Sequence, residues 1–174
     1  MSETEKDYLW NLRHLSLEKA EVSALYHQKR ERFFELLDKY SKAGGLLCGS
    51  AALWKVTERE IVERLAVVIT FLSALSLVFS FAERSKKHAE LARAFRIIAA
   101  EIVGKGERGY VEADINEWNR KLYALDATEP PSLSALVILC QNEIALAKNQ
   151  PDAVHPQNWL VRLLAHFFDM PRST

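Results

Sequence analysis

An uncharged stretch of eighteen residues, Leu65 to Ala82, constrains this chain more than any other feature of its sequence. As an α-helix it would rise about 27 Å, close to the roughly 30 Å thickness of the hydrocarbon core of a bilayer. Such a helix either spans a membrane or fills the centre of a soluble helical bundle. The charge distribution favours the membrane, because charged residues are dense up to Lys42, scarce from there to Ala82 and dense again afterwards.

A second apolar segment, Ala43 to Trp54, precedes this stretch and also lacks charged residues. As a helix it would rise only about 18 Å, so it spans a membrane only with help from its neighbours. A tilted or re-entrant segment fits equally well. We therefore predict a two-segment transmembrane hairpin from residue 43 to residue 82, with the span of the first segment left open.

The basic residues predict the orientation of this hairpin. Lysine and arginine are in excess on both outer flanks, whereas the connector from Lys55 to Arg64 carries three basic and three acidic residues. Because basic flanks stay on the cytoplasmic side, we expect both termini in the cytoplasm. The flanking residues are Lys29, Arg30, Arg32, Lys39 and Lys42 before the hairpin, and Arg84, Lys86, Lys87, Arg93 and Arg96 after it.

The segment before the hairpin is helical in pattern. Glu3 to Tyr40 contains no glycine or proline, and an apolar seam in steps of three and four crosses Gly44 and Gly45 without a change of phase. That spacing predicts one helix that continues into the first apolar segment. The seam consists of Phe33, Leu37, Tyr40, Gly44, Leu47, Ala51 and Trp54.

The second helix is predicted to be unusually long. Thr57 to Glu60 has the form of a capping box, in which a threonine caps the first turn and a glutamate three residues later bonds back. The helical pattern then continues through the uncharged stretch to Ile102, and Gly104 and Gly106 end it. This helix would have about 45 residues and a length near 70 Å, more than a globular domain normally contains.

Three shorter helices are expected after it: Val111 to Ala127, Ser132 to Lys148, and one that begins at Pro156 and reaches Phe168. The predicted fold class is all-α: a helical membrane hairpin with one very long second helix and a small cytoplasmic helical region. The predicted division is an amphipathic helix at 1–42, the hairpin at 43–82 and the cytoplasmic region at 83–174. The apolar stripes are Ile115, Trp118, Leu122 and Leu125, and Trp159, Leu163 and Phe167.

Small side chains recur every four residues in both apolar segments, and they would let two helix backbones approach closely. We expect these faces either to pack the hairpin on itself or to join subunits of a homo-oligomer. The hydroxyl residues of the second segment share about a third of the helix circumference and either line a polar path or bond back to their own helix. The small residues are Ser41, Gly45, Gly49, Ala66, Thr70 and Ala74, and the candidate pore-lining residues are Thr70, Ser73, Ser76 and Ser80.

The sequence contains no motif for catalysis, for a cofactor or for a metal, and we expect a protein that is not an enzyme. Its formal net charge is +0, so no bulk electrostatic attraction favours a nucleic-acid partner. Cys48 and Cys140 lie in apolar surroundings and are expected to be reduced thiols. His88 follows two lysines and is expected to be a solvated side chain beside the membrane.

The layout of the chain resembles the SLATT family. The features that carry this resemblance are the apolar hairpin, the helix that continues it through residues 82–92 (AERSKKHAELA), the Glu-Pro-Pro turn and the following helix with Asn142. The resemblance covers about residues 30 to 150. It implies an effector of bacterial conflict systems that assembles in the inner membrane and perforates or depolarises it. The implied partner is a nucleotide-synthesising or nucleotide-sensing protein, or a cyclic nucleotide.

Two other readings remain open. A soluble helical scaffold or regulatory module would use the apolar seam to bind a partner helix. Alternatively, the cytoplasmic helices would sense a nucleotide directly, with the basic residues after the hairpin as phosphate contacts. Those residues spread around their helix, which favours contact with lipid headgroups over a single pocket. They are Arg84, Lys86, Lys87, Arg93 and Arg96.

Overall fold

The computed structural model describes residues 3–54 and 58–169, and of Leu163 it describes the backbone alone. All regular structure within these ranges is helical, which confirms the predicted all-α class. The α-helices are α1 (Glu3–Trp54), α2 (Arg59–Phe79), α3 (Phe81–Gly104), α4 (Glu112–Asp126), α5 (Ser134–Ala147) and α6 (Trp159–Leu164), with a 3₁₀ turn at Pro151–Ala153.

Helix α1 is 52 residues long and passes through Gly44 and Gly45 without interruption, as the apolar seam predicts. No proline interrupts it, and two serine hydroxyls near the glycines bond back to carbonyl groups of the same helix. Ser41 Oγ donates to the Asp38 carbonyl at 3.0 Å, and Ser50 Oγ donates to the Leu46 carbonyl at 2.9 Å. The first apolar segment is therefore helical to Trp54.

The long apolar helix is present as a stretch of 46 residues, Arg59–Gly104, but the prediction of an uninterrupted helix is wrong at one position. Ser80 has φ 45° and ψ 48°, in the left-handed region, and separates α2 from α3. Helical hydrogen bonds continue on both sides: Ser80 N donates to the Ser76 carbonyl at 3.1 Å, and Arg84 N to the Ser80 carbonyl at 3.0 Å. No sequence pattern marks this break, because serine is not a residue that favours positive φ.

The predicted capping box, Thr57 to Glu60, falls at the start of α2. Thr57 lies outside the described residues. Glu58 precedes the helix with φ −99° and ψ 84°, and its side chain makes no capping hydrogen bond.

The chain packs as two units. One, the cored unit, comprises the residues up to Lys29 and those from Ala89 onward; the other, the hairpin unit, comprises Arg30–His88. Both α1 and α3 contribute residues to each unit. The predicted boundaries after residues 42 and 82 concern the edge of a membrane rather than packing, and they stay predictions.

The cored unit contains two clusters of buried side chains. The first joins α1, α3 and α4, and it confirms the predicted stripe on α4, with Leu125 partly buried beside it. The second joins α1 to α5 and to the residue after α6. The first cluster contains Leu9, Ala20, Ala24, Phe95, Ile98, Ile102, Ile115, Trp118 and Leu122, and the second contains Val22, Tyr26, Ala135, Leu136, Cys140 and Ala165.

Polar contacts fix the ends of the shorter helices. The Asp114 carboxylate accepts the Val111 amide at 3.0 Å before α4, and this bond and the Lys105 ammonium lower the pKa of Asp114. At the Glu-Pro-Pro turn, Glu129 Oε1 lies 3.1 Å from Nε2 of the buried His27. The Asp114 bond holds the turn before α4, and the contact of His27 with Glu129 places the Glu-Pro-Pro turn beside α1.

The last helix is shorter than predicted. It begins at Trp159 rather than at Pro156, because Asn158 caps it and the preceding residues are held by α5. Asn142 there exchanges two hydrogen bonds with the His155 backbone, at 2.6 and 2.8 Å. Of the predicted apolar stripe, Trp159 and Phe167 are exposed, and the side chain of Leu163 lies outside the described part of the chain.

Candidate functional site: the apolar surface of the hairpin unit

Within the hairpin unit, the second half of α1 runs antiparallel to α2 and the start of α3. Ser85 Oγ donates to the Glu31 carbonyl at 3.2 Å. Further along, a Cβ atom built on Gly44 would lie 3.1 Å from Leu72 Cδ1. In antiparallel helices that keep one register, the numbers of facing residues add up to a constant, and these two pairs give the same sum. The helices therefore keep one register between the two contacts.

Phe34 is the centre of the contact between α1 and α3. Its ring stacks on His88 with centroids 5.6 Å apart and an interplanar angle of 11°. The guanidinium groups of Arg30 and Arg84 lie 4.5 and 5.8 Å from the centroid of the same ring, which is cation–π geometry. His88 is only 5 % exposed, so the expectation of a solvated histidine is wrong. No local sequence pattern indicates this cluster, because its members are far apart along the chain.

The packed face of α1 differs from the predicted seam. Three residues of that seam, Tyr40, Leu47 and Trp54, are exposed, although Gly44, another member of the seam, packs against α2. A seam in steps of three and four drifts around a helix of 3.6 residues per turn, so it does not identify one packed face over this length. The half-buried residues of this part of the unit include Leu37, Ser41, Gly44, Gly45, Cys48, Gly49 and Ala52 on α1, and Val62, Leu65, Ile69, Leu72, Leu75 and Ser76 on α2.

The outward surface of α2 is apolar and uncovered. No residue of α2 is buried, and none is buried in the most apolar eighteen-residue window of the Arg59–Gly104 stretch. Among the described residues this stretch is the one helix long and apolar enough to cross a membrane. It is therefore not the buried centre of a bundle within this chain. Exposed apolar residues of the unit include Leu46, Leu47, Leu53, Trp54, Val67, Phe71, Leu77 and Val78.

Charged residues at both ends of this surface form pairs along their own helices. At the start of α2, Arg59 Nε lies 2.8 Å from Glu63 Oε1, and Arg64 Nη2 lies 2.5 Å from Glu60 Oε1. On α1, just before the apolar segment, Lys42 Nζ lies 2.6 Å from Asp38 Oδ2. Exposed pairs of this kind add little stability, but each one neutralises charge next to the apolar surface, which is called the apolar band below.

The predicted small faces do not meet each other within the chain. A Cβ atom on Gly45 or Gly49 would have no heavy atom within 4 Å, and Ser41 is half-buried. On α2 the matching residues are all exposed: Ala66, Thr70 and Ala74. The alternative in which the hairpin packs on itself through these faces is not observed, and the alternative in which they join subunits stays a prediction.

The hydroxyl stripe is only partly outward. Thr70 and Ser73 are exposed, whereas Ser76 and Ser80 are half-buried. Thr70 Oγ1 donates to the Ala66 carbonyl at 2.8 Å, and Ser80 Oγ to the Leu77 carbonyl at 3.3 Å. Both bonds are to the residues' own helix, as expected of hydroxyls that satisfy themselves locally. A pore lined by this stripe stays a prediction.

The basic residues that follow the apolar stretch are all exposed. Arg84 lies over Phe34, as described above, and Arg96 Nη2 donates to Gln28 Oε1. Arg84, Lys86 and Lys87 belong to the hairpin unit, whereas Arg93 and Arg96 belong to the cored unit.

The remaining chemistry is sparse. The part of the chain that the structure describes contains no group of three or more side chains placed to hold a metal ion. Cys140 is fully buried, and this burial raises the pKa of its thiol to about 12. Comparison with protein-family models, with curated proteins and with solved structures found no match to the chain. The exposed apolar surface of the hairpin unit is therefore the feature of this chain that points to a function.

Proposed function

We propose that this protein is a membrane effector whose hairpin unit inserts into the bacterial inner membrane, oligomerises and perforates or depolarises it. One observation carries the proposal: the most apolar window of a helix long enough to span a membrane has no buried residue. Exposed apolar surface on this scale is unfavourable in water by about 25 cal/mol per Å². A lipid environment removes that cost.

The rest of the hairpin unit supports the same proposal. Helix α1 adds the shorter apolar segment, antiparallel to α2, and pairs of opposite charge lie next to the apolar band. The exposed Lys86 and Lys87 follow the band and suit contact with anionic lipid headgroups. With basic residues on both outer flanks, both termini face the cytoplasm.

Assembly is proposed to use the small faces. Within the described ranges, nothing packs against a Cβ atom on Gly45 or Gly49 of α1, and Ala66, Thr70 and Ala74 of α2 are exposed, so a second copy has access to them. Close approach of helix backbones at such residues is a common mode of association in lipid. The resemblance to SLATT proteins supports a role in bacterial defence, with the trigger delivered by a nucleotide or by a partner that makes or senses one.

Membrane fractionation tests the proposal. The wild-type protein is expected to stay in the membrane fraction after carbonate extraction, and the detergent-solubilised protein to have the mass of an oligomer. A double variant, Phe71→Asp/Leu77→Asp, replaces two exposed apolar residues. Carbonate should release this variant from the membrane, because each charge at the bilayer centre costs about 2.5–3.5 kcal/mol. A monodisperse wild-type protein in buffer without detergent would instead support the soluble scaffold.

A further inference from the structure

The cored unit contains a cleft of about 650 Å³ that the proposed function does not use. Its lining comes from α1, the end of α3, α5 and the residues that follow α5. This volume falls within the usual range of small-molecule sites. Two neighbouring residues of the lining, Arg13 and His14, have buried polar atoms without hydrogen-bond partners in the described part of the chain.

Arg13 is the more unusual of the two. Its side chain is only 4 % exposed, and it forms no ion pair among the residues that the structure describes. Nη2 donates to the Ile102 carbonyl near the end of α3 at 3.3 Å, and the guanidinium lies 5.5 Å from the centroid of the Tyr110 ring. Nε is buried without a partner. A buried guanidinium is costly unless an anion or several acceptors compensate it, and here the carbonyl takes only one of five donors.

His14 presents a second unused group. Its Nδ1 atom is buried and has no hydrogen-bond partner. The ring stacks on Trp10 with centroids 3.8 Å apart, which restricts the orientation of the imidazole. In the tautomer that carries the proton on Nδ1, this atom is a donor that an anion would accept.

The rest of the cleft suits a ligand with an apolar body. Leu17, Val103 and Ile144 are in its lining. Its acidic residues do not compensate Arg13, because Glu21 is paired with Lys148 and because Glu18 and Glu107 are exposed to solvent. Water screens the exposed carboxylates, whereas the field of the desolvated guanidinium is screened much less.

We propose that this cleft binds a small molecule that carries a phosphate or carboxylate group on an apolar or aromatic body. Arg13 and His14 supply the hydrogen-bond donors for the oxyanion, and the planar guanidinium suits two oxygens of one anionic group. The apolar lining contacts the body of the ligand. This inference does not depend on the function proposed for the hairpin unit, because all of its residues belong to the cored unit.

The test uses the full-length protein in non-ionic detergent at constant ionic strength. Inorganic phosphate and phenyl phosphate are titrated while the Arg13 Nε–H signal is followed by NMR, with acetate and benzoate as a second pair. We expect a saturable shift of the Arg13 signal by one pair or both, with tighter binding of the aromatic member of that pair. The wild-type titration does not require a variant to fold.

Variants then identify the contact. Arg13→Lys, which keeps the charge but loses the fork, and His14→Phe, which keeps a ring but loses Nδ1, should each weaken binding about tenfold or more. The control is Arg120→Gln, an exposed arginine of α4 in the same unit outside the cleft, and it should bind as the wild type does. The proposal is wrong if no probe shifts the Arg13 signal, or if Arg120→Gln weakens binding as much as Arg13→Lys.

Discussion

Gly44 on α1 packs so closely against Leu72 on α2 that a Cβ atom on the glycine would lie 3.1 Å from Leu72 Cδ1. Among the residues that the structure describes, no atom outside their own helix backbone lies within 4 Å of a Cβ atom built on Gly45 or Gly49. Gly44 therefore admits the second helix of the hairpin, whereas Gly45 and Gly49 are the positions at which we propose that a further copy packs.

Substitutions at these glycines should separate folding from assembly. Gly44→Ile is expected to destabilise the hairpin by about 1–3 kcal/mol, because the larger side chain overpacks against Leu72. Gly45→Ile and Gly49→Ile should leave folding unchanged but reduce oligomer size, because a branched side chain forces neighbouring backbones apart. Denaturant unfolding and mass measurement in detergent give the two readouts. The small-face hypothesis fails if Gly49→Ile leaves both oligomer size and toxicity to the cell unchanged.

Aspartate substitutions in α2 test the hydroxyl stripe. Ser73 is exposed, whereas Leu75, about 200° away around the helix, is half-buried. A charge at the bilayer centre costs about 2.5–3.5 kcal/mol, so Ser73→Asp should be tolerated only where it meets water or protein. Ser73→Asp is expected to alter ion leakage, and Leu75→Asp to prevent insertion. Membrane potential in expressing cells is the measurement, and equal behaviour of the two variants would argue against a pore lined by this stripe.

Ser80 should respond to substitution according to its left-handed backbone. Ser80→Gly is expected to raise the free energy of unfolding by about 1 kcal/mol, because glycine adopts φ 45° without the steric cost of a Cβ atom. Ser80→Val should lower it by a similar amount or more. The matched control is Ser76→Gly within α2, where a normal helical residue is replaced and about 0.5–1 kcal/mol of stability is lost. If both glycine variants are destabilised equally, Ser80 is an ordinary helical residue.

The thiol of Cys140 should make stability depend on pH in alkaline solution. Burial raises its pKa from 9.0 to about 12, while Lys29 lowers the pKa and Glu143 raises it by smaller amounts. Above pH 9 the unfolded thiol ionises while the folded one does not, so the contribution is intact below pH 9 and is lost as the pH rises to 12. The loss approaches about 1.4 kcal/mol per pH unit within this window. The free energy of unfolding of the wild type and of Cys140→Ala, measured from pH 8 upward, isolates the contribution of the thiol. If the two free energies fall in parallel with pH, Cys140 is not the group responsible.

Local sequence patterns determined most of the helices of this protein and the position of its apolar band. The stripe on α4 became buried as its period indicates, because residues three and four apart share a face of any helix. The uncharged stretch after Leu65 is equally local, since length and hydropathy alone decide whether a helix suits a membrane. Glycine and proline predicted the ends of α3 and α5 for the same reason.

Only the tertiary structure decided which faces meet. The contact of Gly44 rather than Gly45, the burial of His88 against Phe34 and the left-handed Ser80 depend on residues far away along the chain. The burial of Arg13 also depends on distant residues, because it results from the packing of α1 against α3. A periodic pattern tells which residues share a helix face. It does not tell which partner that face receives, because distant segments fix the partner by shape and charge complementarity.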